Sequence, residues 1–159
     1  MCGIVGLYLK NPKLQPKLGA MFKPMIIEMT NRGPDSAGVA IYRNPVKKAE
    51  VKFSLAHDDP AYNWKGVDTG LEKALKCDAK IKVIGNHCIL VTTAKEDKVV
   101  HWLKKTHPQV RVVGSGHTIE IFKETGLPEN VYQKFDLSKA SGTHIIGHTR
   151  MATESAVTM

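Results

Sequence analysis

Disulfide chemistry has little to work with in this chain. Its 159 residues include three cysteines, Cys2, Cys77 and Cys88, with no CxxC pair and an odd count. That excludes a disulfide-stapled scaffold and offers no cysteine zinc site. No apolar run approaches the ~18 residues that crossing a bilayer takes, so no membrane partner is expected. No basic stretch followed by an apolar core opens the sequence, so it shows no signal-peptide pattern and is expected to be cytoplasmic.

Basic clusters are missing as well, despite a formal charge of +8 from 23 Lys and Arg against 15 Asp and Glu. Lys10, Lys13, Lys17 and Lys23 are spread out, and Lys47-Lys48 and Lys104-Lys105 are only pairs. No basic stripe interleaves with aromatics, so no nucleic-acid partner is expected. The histidines neither pair at i, i+4 on a helix nor neighbour a CxxC, so no metal is expected. Gly114-Ser115-Gly116 lacks the third glycine and the following helix of a phosphate loop. What is present is ordinary: 42% apolar and 24% charged residues, in a length that suits one domain with a real core better than two.

Periodicity divides the chain. Cys2 to Leu9 is a short apolar run with β-branched and aromatic residues, predicted as a buried strand. Gln15 to Thr30 places Leu18, Met21, Phe22, Met25, Ile26 and Met29 at helical spacing, with Pro24 as a kink candidate. Gly33-Pro34-Asp35 ends that helix, and Gly38 to Tyr42 is a second strand. Lys48 to Ala56 alternates around Val51, Phe53 and Leu55, as a half-buried strand does. Helices are predicted over Val67 to Cys77, Lys95 to Lys105 and Pro128 to Phe135, the last opened by its proline. Strands are predicted over Cys88 to Thr93, Val110 to Val113, Thr118 to Phe122 and Thr143 to Thr149, with a break at Gly114-Ser115-Gly116. Adjacent strands without helices between them favour layered antiparallel sheets, an α+β fold, over a βαβ repeat.

Three segments carry chemistry. Cys2 becomes the first residue once Met1 is removed, and cysteine is small enough to permit that trimming. A thiol is a weak nucleophile until it loses its proton. An N-terminal cysteine brings its own base, an α-amine of pKa ~8 beside a reference thiol of ~8.5. The run Cys2-Gly3-Ile4-Val5-Gly6 would anchor that terminus at a sheet edge. The second segment, Asn31-Arg32-Gly33-Pro34-Asp35-Ser36-Ala37-Gly38, is by itself an ordinary helix-to-strand turn. The third, Gly147-His148-Thr149-Arg150-Met151-Ala152-Thr153-Glu154-Ser155, is by itself a strand leaving the core through polar residues.

Together, Met-Cys-Gly-Ile-Val-Gly, Arg-Gly-Pro-Asp-Ser-Ala-Gly and Gly-His-Thr-Arg-x-Ala-Thr resemble the class II glutamine amidotransferases, a branch of the N-terminal-nucleophile hydrolases. The likeness covers residues 1–44 and 110–159 and leaves 46–109 to pattern alone. It is nearest the amidotransferase subunit of glutamate synthase-like enzymes, the N-methylglutamate synthase type included. Met151 stands where many relatives have tryptophan, and Glu154 where sugar-phosphate amidotransferases have histidine; both suit that branch.

The resemblance implies a four-layer α/β/β/α sandwich with antiparallel sheets. Residues 1–159 would be the N-terminal part of a type-2 glutamine amidotransferase domain, incomplete at the C-terminal end and inactive alone. It implies that Cys2 attacks the side-chain amide of L-glutamine, forms a glutamyl thioester and releases ammonia. Arg32 would be catalytic through the nucleophile's loop. Arg150 and Thr153 would bind the glutamine α-carboxylate, a task suited to a bidentate guanidinium. Neither a metal nor an organic cofactor is implied; any flavin or iron–sulfur centre would belong to a synthase partner that accepts the ammonia. Two other readings stay open: a catalytically inactive glutamine-binding or regulatory fragment docking on a synthase, and a structural remnant of a split or truncated gene.

Overall fold

The computed structural model describes residues 2–152. The fold class is the expected α+β, with two four-stranded antiparallel sheets and four α-helices among the described residues. The chain divides into two compact units, Met1–Asn44 with Ile121–Met159, and Pro45–Glu120.

In the first unit, β1 (Gly3–Tyr8) runs into a 3₁₀ turn (Pro12–Lys17). That turn starts where the Asn11 side chain accepts the Lys13 amide at 3.0 Å. Helix α1 (Leu18–Glu28) follows and buries Leu18, Gly19, Phe22 and Ile26, one stripe at helical spacing. Pro24 is exposed and the helix continues through it. A second 3₁₀ turn (Met29–Arg32) leads to β2 (Ser36–Tyr42). The chain returns through β7 (Ile119–Thr125), α4 (Pro128–Lys134), with proline in its first turn, a 3₁₀ turn (Leu137–Lys139) and β8 (His144–Arg150). Among the described residues the strand order is β1-β8-β2-β7, so β1 lies at a sheet edge as expected, but it is not the buried strand predicted, because its outer face is open and leaves Ile4 and Tyr8 exposed; β8 pairs antiparallel with both β1 and β2. Along β8 the pleat sends Ile145, Gly147 and Thr149 inward and leaves His148 on the other face. The core joins Val39, Ile41 and Ile145 with Phe22, Ile26, Phe122, Val131 and Phe135, all nearly fully buried.

The second unit contains β3 (Val51–Ala56), α2 (Val67–Leu75), β4 (Ala79–Ile84), β5 (His87–Thr92), α3 (Glu96–Thr106) and β6 (Arg111–Gly116). Its sheet has the order β4-β5-β3-β6. Phe53, Leu55, Cys88 and Leu90 form the core with Trp64, Val67, Leu71, Val99, Leu103 and Val110.

Several expectations are corrected. The helix of residues 15–30 is α-helical only from Leu18, flanked by the two 3₁₀ turns. β3 is buried on both faces rather than half-buried. Its polar side hides Lys52, whose ammonium donates to Glu120 Oε1 at 2.9 Å, with side chains only 6% and 11% exposed. The break expected at Gly114-Ser115-Gly116 falls at His117-Thr118, because β6 continues through the glycines in register with Lys52 and Phe53. β4, whose lysines face solvent, is an additional strand.

Candidate active site

Glycines bring the three motifs together. Gly3 in β1 lies opposite Thr149. A Cβ there would stand 3.0 Å from the Thr149 hydroxyl, 3.2 Å from the Met29 sulfur and 3.3 Å from Arg32 Cβ. The residue beside Cys2 therefore touches both other motifs through a space that any side chain would contest. Cys2 itself is exposed and directly precedes β1. Gly33 makes a closer approach. Its φ of −173° is extended and open to any residue, but a Cβ would meet the Arg150 amide nitrogen at 2.5 Å.

Backbone contacts complete the junction. Pro34 bridges Arg150, and the Asp35 N–H donates to the Arg150 carbonyl at 3.1 Å. The Ala152 N–H donates to Asp35 Oδ2 at 2.7 Å. The buried Thr149 hydroxyl donates to the Met29 carbonyl at 3.2 Å. From below, α1 fits against β8 where Gly147 has no side chain; a Cβ would come within 2.6 Å of both Ile26 and Phe22.

A cavity of about 210 Å³ opens beside this junction, lined by Ser36, Ala37, Gly38, Lys123, Glu124, His148 and Arg150. Ser36 pairs with Arg150 and Gly38 with His148, so antiparallel register puts them side by side. Burial alone would raise the Glu124 carboxyl. Hydrogen bonds from Lys134 and Thr125, with the Lys134 charge, override it and hold the group below its ordinary value. Glu124 is thus anionic at neutral pH and already met by the Lys134 ammonium. Arg150 and Lys123 put two cationic side chains on the wall beside the Glu124 carboxylate.

Of the candidates named from sequence, Arg150 lines the cavity and Cys2 lies at the adjoining strand start. Arg32 has its Cβ against Gly3, is exposed, and does not line the cavity. Thr153 lies outside the described residues. Sequence reasoning quoted Asp35 within the Arg-Gly-Pro-Asp-Ser-Ala-Gly motif but gave it no role, and it missed Lys123 and Glu124. His148 had a signal: a strand ending at Arg150 presents residue 148 on the same face. Among the described residues no three His, Cys, Asp or Glu side chains group as a metal site, and no helix is long and apolar enough to cross a membrane.

An α+β chain in which an N-terminal cysteine strand, a Gly-Pro-Asp turn and an arginine-ended strand converge is similar to proteins named as glutamine amidotransferases. It is 42% identical to the glutamine amidotransferase-like protein GlxB of Rhizobium meliloti, over 99% of this chain and 52% of that protein. It is 31% identical to a putative glutamine amidotransferase of Methanothermobacter thermautotrophicus, over 99% of this chain and 54% of that one. The chain spans about half the length of these curated relatives. No family model matches it.

Proposed function

We propose that the chain carries the nucleophile and the carboxylate anchor of a class II glutamine amidotransferase with the N-terminal-nucleophile sandwich. The observation that carries this reading is the junction itself: Gly3 beside Cys2 lies against Thr149, and Gly33 lies against Arg150 at the cavity rim. The names of the two relatives support its coarser part, a glutamine amidotransferase, and say nothing of the class or of the site residues.

In this reading, removal of Met1 frees the Cys2 α-amine. The amine takes the thiol proton, and the thiolate attacks the side-chain amide carbon of L-glutamine. The carbon–nitrogen bond breaks as the amine returns the proton, ammonia leaves, and water hydrolyses the glutamyl thioester to glutamate. Arg150 holds the α-carboxylate with a bidentate fork, aided by Thr153, and Arg32 organises the nucleophile's loop. The ammonia goes to a glutamate synthase-like partner.

The test is ammonia release from glutamine by the full-length protein with Met1 removed. Cys2→Ala should abolish it. Arg150→Lys keeps the charge but loses the fork, and should raise KM by the equivalent of about 1–3 kcal/mol. Arg32→Ala should lower kcat instead. Turnover that survives Cys2→Ala sinks the proposal, and an unchanged KM in Arg150→Lys removes Arg150 as the anchor.

A further inference from the structure

Asp35 takes no part in the chemistry above, yet three hydrogen bonds run through it. Its N–H donates to the Arg150 carbonyl at 3.1 Å, and its own carbonyl accepts the Gly126 N–H at 2.7 Å. Its carboxylate accepts the Ala152 N–H at 2.7 Å. The residue therefore joins the start of β2, the turn after β7 and the exit of β8. Met151 and Ala152 lie beyond β8, past the last strand pairing at Arg150. There the charged acceptor on the Ala152 amide is the strong kind of hydrogen bond.

We propose that Asp35 is a positioning residue for substrate binding. By holding the Ala152 amide it sets the backbone on both sides of Arg150, and with it the placing of the guanidinium at the cavity wall. The arrangement is analogous to outer groups that orient a metal ligand without touching the metal. The proposal rests on Arg150 being the carboxylate anchor. A plain turn-forming aspartate would contribute to folding and leave glutamine affinity alone, so the two roles separate experimentally.

The experiment uses three variants of the full-length protein. Asp35→Ala removes the acceptor, Asp35→Asn keeps an oxygen in place, and Asp35→Glu keeps the charge but displaces it by a methylene. Asp35→Ala should raise the glutamine KM about tenfold with kcat near wild type, the scale of one charge-assisted hydrogen bond. Asp35→Asn should restore most of the affinity and Asp35→Glu should not. Hydrogen exchange at the Ala152 amide should quicken in Asp35→Ala and stay slow in Asp35→Asn. If Asp35→Ala does not accumulate as folded protein, the Asn-over-Glu ranking decides alone. An unchanged KM in Asp35→Ala, a fall in kcat with KM unchanged, or Glu outperforming Asn overturns the proposal. Arg150→Lys run alongside isolates the underlying reading. If it leaves KM unchanged while Ala152 exchange still depends on Asp35, the anchor assignment has failed and the tether is structural only.

Discussion

Replacing Gly19 by alanine should destabilise the unit that holds Cys2 and Arg150, although alanine is the better helix former. Two effects of opposite sign compete. Helix propensity favours alanine by at most ~1 kcal/mol. Against it, a Cβ at position 19 would stand 1.8 Å from the Leu137 carbonyl oxygen and 3.0 Å from Ala140 Cβ. The first contact is with backbone, so α1 must retreat by more than an ångström from the 3₁₀ turn at Leu137–Lys139. Retreat stretches the Gly19 N–H bond to the Ala140 carbonyl, 2.9 Å, and the bond from the Tyr132 hydroxyl to the Gly19 carbonyl, 3.1 Å. Overpacking costs about 1–3 kcal/mol and each weakened hydrogen bond up to ~1, so a net loss of about 2–3 kcal/mol is expected.

Gly70 in α2 is the control. A Cβ there meets the Trp102 ring edge at 3.2 Å, a side chain that can shift. Propensity and crowding then nearly cancel, leaving Gly70→Ala within about 1 kcal/mol of wild type. Hydrogen-exchange mass spectrometry of peptides over 18–28 and 67–75 reads the opening free energy of each unit separately. Wild-type protection of α1 in Gly19→Ala, or a larger loss in Gly70→Ala, would refute the reasoning.

Three further outcomes are expected. A diazo-ketone glutamine analogue should label exposed Cys2 and spare Cys88, whose thiol is pushed to about 12 by burial and then by the Asp68 charge; peptide mapping that finds the label on Cys88 or half-buried Cys77 would overturn this. Lys52→Met removes the ammonium 2.9 Å from buried Glu120 and should cost about 3–5 kcal/mol. Urea unfolding followed by tryptophan fluorescence checks it, since Trp64 and Trp102 both lie in that unit, and a loss below about 1 kcal/mol would contradict the buried pair. Glu124, held below its ordinary value, contributes stability above the unfolded carboxylate pKa of ~4.3 and loses it as pH falls through the folded one. Glu124→Gln should therefore lower Tm at neutral pH and not at a pH below the folded value; an equal loss at both would disprove the linkage.

Much of the fold was legible because apolar spacing is a local signal. Phe22 and Ile26 on α1 follow from it, and the strand predicted over Thr143 to Thr149 is β8 to within one residue at each end. β3 misled because alternation registers Lys52 as solvent-facing, and only the distant Glu120 makes it buriable. The glycines of β6 suggested a break, but pairing with β3, bulged between Ser54 and Leu55, carries the strand through them. At the site, the motifs pointed to Cys2 and Arg150. Asp35 was legible as part of a motif but not in its contacts, since these depend on which amide arrives from the other end of the chain.

The pairing of Gly3 with Thr149 also sets an order of events during translation. Among the described strands β1 neighbours β8 alone, and β8 is the last of them to be synthesised. At about 5–20 residues per second, β1 waits on the order of ten seconds for its partner. Pro45–Glu120 is one continuous stretch with its own sheet and core, and can fold within that interval. The first sheet has no such option, because its contacts span nearly the whole chain. The removal of Met1 that the proposed function requires would thus act on a terminus whose strand is still unpaired. Cys2 and Arg150 are then brought together in one late step, when β8 slides between β1 and β2.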